Sequence, residues 1–153
     1  MDELQALIER QRIVDLITEL FVSTDRRDWP AVIGCFTPKV QFDMSSLGGA
    51  PPAEVAATEI VAGWERGLAP LAAVHHQAGN FQVRLRGDEA DVHCYAIASH
   101  YLPNPTGRNT RVFVGSYDLG LRAEAGRWRI HAFRFNAKYV EGNLELEKAA
   151  AGS

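Results

Sequence analysis

The sequence predicts an α+β domain: a cone-shaped, curved antiparallel sheet wrapped around a long N-terminal helix and two further helices, with a pocket at its open end. Three observations predict it. Apolar residues recur at helical spacing over the first 25 positions, two more helical segments follow before residue 70, and the remainder alternates in long strand-like segments in hairpin order.

Leu4, Leu7, Ile8, Val14, Ile17 and Phe21 fall at three- and four-residue steps, so a helix from Glu3 to Asp25 presents one stripe to a core. In DRRDWPAVIGCF, Asp28 suits an N-cap and Pro30 a first turn, which predicts a short second helix ending near Phe36. The segment KVQFDMS, residues 39–45, alternates as a strand, and SLGGAPPAE reads as a loop. A third helix is expected from Ala53 to Leu68, with Val55, Ile60, Val61 and Trp64 inward and Pro70 closing it. Four strands then follow: HHQAGNFQVRLR, ADVHCYAIASHYL, TRVFVGSYDLGLRA and RWRIHAFRFN. Strands of that length need bends to curl around helices, and Gly79, Gly115 and Gly120 stand where such bends are made.

At 153 residues the chain suits a single domain, expected over 1–143, with 144–153 a partly disordered C-terminal tail. Sixteen basic against nineteen acidic residues leave a formal charge of −3, with no basic concentration of the kind that nucleic acid requires. Cys35 and Cys94 lie far apart without CxxC or Cys/His spacing and read as reduced, apolar fillers. No apolar run has the length of a signal core or a bilayer span, so no membrane partner is expected and the cytoplasm is the expected location.

Three stretches carry a family resemblance: STDRRDWPAVIGCFTPKVQFD, HHQAGNFQVRLRGDEADVHCYAIASHY and VGSYDLGLRAEAGRWRIHAFRFN. Taken in order they resemble the SnoaL-like branch of the nuclear transport factor 2-like superfamily, and the likeness runs from residue 1 to about 143. Proteins of this kind include scytalone and bile-acid dehydratases, polyketide cyclases, ketosteroid isomerase and limonene epoxide hydrolase. Several are cofactor-free enzymes and others do no chemistry, so the resemblance implies the cone fold far more specifically than a reaction.

Asp25 lies four positions after Phe21 and eight after Ile17, which continues an apolar stripe with a carboxylate. That is an anomaly suited to acid–base work. The resemblance implies that an Asp after the first helix pairs with a sheet histidine three residues before a glycine, which maps onto His76. Strict alternation back from Phe81 instead turns His75 inward; a bulge at Gly79 would reverse the parity and favour His76. On the next strand Val92, Cys94, Ala96, Ala98 and His100 share a cavity-lining face, with His100 at the rim. Scytalone dehydratase has a second catalytic histidine where this chain has Cys94, and some members have Tyr where this chain has Phe21. Tyr117 is a candidate replacement, Asp43 a candidate at the pocket mouth, and Trp64, Phe113, Phe133 and Asn136 candidate wall residues.

Adjacent histidines on a strand point to opposite faces, so they suit no common metal, and no phosphate loop or nucleophile elbow is present. No cofactor is expected. An Asp25–His76 dyad would move a proton α to a carbonyl in a small hydrophobic, cyclic or polyketide- or steroid-like ketone, as a dehydratase, isomerase or cyclase does. Two other readings stand beside it: a non-catalytic ligand-binding or structural subunit, and an epoxide hydrolase with Arg111 between two carboxylates. The resemblance also implies a homodimer through the convex sheet face, where His93, Tyr95, Ile97 and Phe135 would lie.

Overall fold

In a computed structural model, which describes residues 1–151, the first apolar stripe becomes helix α1 (Glu3–Asp25). Asp2 caps it by accepting from the Gln5 N–H at 2.7 Å; Ile13, Leu16, Ile17, Leu20 and Phe21 are buried, whereas Leu4, Leu7 and Ile8 of the expected stripe are exposed, because the first turns of the helix extend past the sheet that covers the rest. Helix α2 (Trp29–Gly34) starts as its sequence dictates, with Asp28 accepting from the Ala31 N–H and Pro30 in the first turn.

Strand β1 (Phe36–Asp43) begins three residues before the predicted position. Pro38, which has no N–H to donate, falls in the gap between Phe36 and Gln41 where pairing with its long neighbour lapses. The helix predicted from Ala53 is corrected here. Residues Ala53–Ala56 form strand β2, antiparallel to β1 with Val55 opposite Val40, and helix α3 runs over Ala57–Leu68. Val55, the first inward residue of the expected helix, lies on the strand instead, and the helical pattern starts only with Ile60, Val61 and Trp64.

Strands β3 (Ala73–Arg86), β4 (Glu89–Tyr101), β5 (Thr110–Glu124) and β6 (Arg127–Gly142) complete a six-stranded sheet in the order β2-β1-β6-β5-β4-β3. All pairings are antiparallel except β1 with β6, which is parallel. The β5–β6 hairpin turns through Ala125 and Gly126, both at positive φ, as a tight right-twisted hairpin demands. Single extra residues interrupt the long strands on β3 near Asn80 and on β6 at His131 and Lys138. These bends curl the sheet around α1 and α3, and the core lies between: Ile13, Ile17, Leu20, Val61, Leu121 and Ile130 are almost wholly enclosed.

Within the tail expected to be partly disordered, residues Leu146–Ala151 form helix α4, and Leu146 is fully buried against Leu71 and Val74. Gly152 and Ser153 lie outside the described residues. No helix among the described residues is long and apolar enough to cross a membrane.

Candidate active site

Asp25 is the last residue of α1, and its carboxylate holds one residue of β3 twice. Oδ2 accepts from the backbone N–H of His76 at 2.8 Å, and Oδ1 lies 2.7 Å from His76 Nδ1. Both side chains are mostly enclosed, at 17% and 13% exposure. A carboxylate only accepts, so the Nδ1 of a neutral His76 carries the proton and Nε2 is left with the free lone pair. The Phe21 ring stacks on the imidazole at 5.3 Å and 14° between planes, which fixes the ring's attitude.

The inward turn of His76 follows from a bulge. Val74, His76 and Ala78 face inward, then Phe81, Val83 and Leu85, so the parity changes between them. Gly79 pairs with Tyr95 and Gln82 with His93, three residues against two. The extra residue is absorbed at Asn80, which has a φ of 55°, a left-handed conformation that Asn adopts more readily than most residues. His75 is exposed on the other face.

His76 opens on a cavity of about 250 Å³ lined largely by apolar surface. Of the sequence-predicted wall residues, Phe21, Trp64, His100, Phe113, Tyr117 and Phe133 line it. Tyr117 packs its ring 5.0–5.1 Å from those of Phe21, Phe133 and Phe135, and burial raises the phenol's pKa, keeping it protonated. Ala98, on the strand face expected to line a cavity, reaches it, as do Met44 and Leu68, which no polar group signals in the sequence.

Three predicted residues do not reach it. Cys94 is completely buried beside Tyr117, and burial pushes its thiol up to about 11. Asp43 instead closes a turn: Oδ1 accepts from the Ser45 N–H and hydroxyl at 3.0 and 2.6 Å, and Oδ2 from Arg134 at 3.1 Å. Asn136 points outward and donates to Ser116 Oγ and Asp118 Oδ2 at 3.2 and 2.8 Å. The reason is the bulge at His131. Trp128 and Ile130 are inward at even positions, and the extra residue moves the inward set to Phe133 and Phe135. The same shift removes Phe135 from the convex face, where it was expected, and puts it in the cavity wall.

A second polar group enters from the β4–β5 pair. His100 Nδ1 lies 3.0 Å from an Nη of Arg111, whose guanidinium also grips Glu147 of α4 at 2.9 and 2.6 Å. Arg111 thus stands between an imidazole and one carboxylate, and not between two carboxylates as the epoxide hydrolase reading requires. A wider depression of about 890 Å³ lies elsewhere, lined by Asp43, His93, Asp118 and Arg134. Both of its carboxylate–cation contacts at the centre are closed, Arg134 with Asp43 and His93 with Asp118, and Arg10 and Arg84 also line it, whereas His76 Nε2 in the apolar cavity has no protein partner among the described residues. The smaller cavity is therefore the candidate site.

Residues 5–134 match the family described as SnoaL-like domain. The fold is shared with protein Kfla4162 of Kribbella flavida, at 26% identity and a TM-score of 0.87, covering 94% of this chain and 99% of that one. A proposed scytalone dehydratase from Novosphingobium aromaticivorans shows the same fold at 15% identity and a TM-score of 0.76, over 90% and 89% of the two chains. So does hexachlorocyclohexane dehydrochlorinase LinA-type3 from Novosphingobium barchaimii, at 14% and 0.74, over 94% and 95%. No curated protein matches the chain.

Proposed function

The chain belongs to the SnoaL-like domain family, and from that premise we propose that it is a cofactor-free enzyme that removes and returns a proton on a small hydrophobic cyclic ketone. Dehydration is the favoured outcome, with isomerisation and cyclisation as variants of the same step. The observation that carries this reading is the double grip of Asp25 on His76, which leaves Nε2 as a fixed, unpartnered base at an apolar cavity.

In this reading His76 Nε2 takes the proton α to the carbonyl, and the C–H electron pair forms the enolate. The enolate then collapses as the β-hydroxyl departs, and the proton carried by His76 completes a molecule of water. Asp25 stays ionised and stabilises the imidazolium formed in the first step. Apolar walls with few competing charges favour a neutral substrate and exclude bulk water from the base. Two proteins of the same fold carry the names of a proposed dehydratase and a dehydrochlorinase, both names of eliminations, which is the class of reaction proposed here. The exposed Tyr95, Ile97 and Tyr139 on the convex face would take a second copy of the chain, a proposal that light scattering of the purified protein tests directly.

The test of function is exchange of α-protons of cyclic ketones into deuterium oxide, followed by NMR, beside conversion of cyclic β-hydroxyketones to enones, followed by absorbance. The wild type should catalyse both. A protein that binds these ketones yet catalyses neither exchange nor elimination is a binding module, and the proposal fails.

A further inference from the structure

The second imidazole of the cavity is held by groups that the proton transfer at His76 does not use. His100 follows Ala98 on the inner face of β4, and Ala98 is the partner of His76 across the strands. Diagonal neighbours on one sheet face stand roughly 7–8 Å apart, room for the reacting part of a small ketone between two rings. A guanidinium can only donate, so His100 Nδ1 accepts from Arg111 and carries no proton. The neutral ring must then carry its proton on Nε2. His76 is the opposite tautomer, its Nδ1–H committed to Asp25. One wall of the cavity thus offers a basic nitrogen and an N–H donor side by side. Burial, and next the nearby Arg111 charge, push the His100 pKa down to about 4, so the ring is neutral near pH 7.

We propose that His100 is a substrate-contacting residue whose Nε2–H donates to the carbonyl oxygen of the ketone, and that Arg111 and Glu147 are positioning residues that fix its tautomer. The identity of the base rests on the reading above; the carbonyl contact itself does not. As the α C–H bond breaks at His76, negative charge gathers on the carbonyl oxygen, and the His100 hydrogen bond strengthens without its proton being transferred. Donors aimed at developing charge in a water-poor site are among the largest contributors to rate. Glu147 comes from α4, which is seated by buried Leu146, so the C-terminal segment belongs to the site.

The probe is 2-cyclohexenone, whose carbonyl stretch moves to lower frequency when it accepts a hydrogen bond. Wild type and His76→Gln should both shift the stretch of the bound enone, His100→Phe should abolish the shift, and His100→Gln, which keeps an N–H donor, should restore part of it. Long-range ¹H–¹⁵N correlation should find His100 protonated on Nε2, and Arg111→Met or Glu147→Gln should mix the tautomers and slow α-proton exchange on the order of tenfold, as losing the partner of an oriented imidazole does. His100→Phe should lower kcat of exchange roughly 100-fold with little change in KM. A carbonyl shift that survives in His100→Phe, an Nδ1-protonated His100, or an enone that the wild type does not bind overturns the proposal. A shift that persists while the wild type catalyses no exchange removes His76 as the base and leaves the carbonyl contact standing.

Discussion

Asp25 accepts two hydrogen bonds from a single residue, so its removal has two separable effects. Asp25→Asn should lower exchange and elimination on the order of a hundred- to ten-thousand-fold, because an amide cannot hold the imidazolium. Asp25→Ala should in addition lower unfolding free energy by about 1–3 kcal/mol, since it strands the His76 N–H in a part-buried position; urea titration measures the difference. His76→Gln should abolish exchange while its melting temperature stays close to the wild type. Asp25 was legible in the sequence because a carboxylate stood on an apolar stripe. Asn136 and Cys94 misled for different reasons: one bulge re-aims the strand that carries Asn136, and Cys94 lies too deep to meet a ligand. The Arg111–Glu147 contact was invisible, because 36 residues separate the partners and the segment carrying Glu147 has the composition of a loose tail.

The first helix and the four long hairpin strands were readable because period 3.6 and period 2 each hold over many residues, as in α1 and β4. Bulges were not, since an extra residue leaves no composition signal beyond a small or polar side chain. The predicted bulge at Gly79 is carried by Asn80, one position on. Asn80→Val, whose branched side chain resists the left-handed conformation that forms the bulge, should push β3 toward an unbulged pleat that either turns His76 outward or buries Gln82 and Arg84 in place of Phe81 and Val83. Both alternatives cost several burials, so the variant should unfold at markedly lower urea and show no exchange activity. Strand β2 escaped notice for the opposite reason: four residues are too few to establish a period. Gly115 has a firm requirement in the sheet. An added Cβ would collide with the carbonyl oxygen of Asn136, so Gly115→Ala should destabilise by more than about 2 kcal/mol in chemical unfolding.

Across the whole molecule, a buried neutral imidazole makes stability depend on pH. The His100 pKa is depressed on folding, from 6.5 to about 4, by burial first and then by Arg111 and His76, while Glu147 and Asp25 oppose the shift. Above 6.5 neither the folded nor the unfolded ring binds the proton, and the stability is fully retained. Between 6.5 and about 4 only the unfolded chain takes it up, so this group alone removes about 1.4 kcal/mol per pH unit. Wild type should therefore lose stability faster than His100→Phe across that window, as unfolding titrations at several pH values measure; equal slopes would show the ring to be freely solvated. The cavity wall draws on Phe21 from the first helix, Trp64 from the third, His76 and His100 from the middle strands and Phe133 from the last, so no stretch of neighbouring residues contains it. Such distant pairings are the late and slow part of assembly. Recovery of the proposed exchange activity during refolding should accordingly lag behind the return of helical circular dichroism, which makes the cavity a clock for the completion of folding.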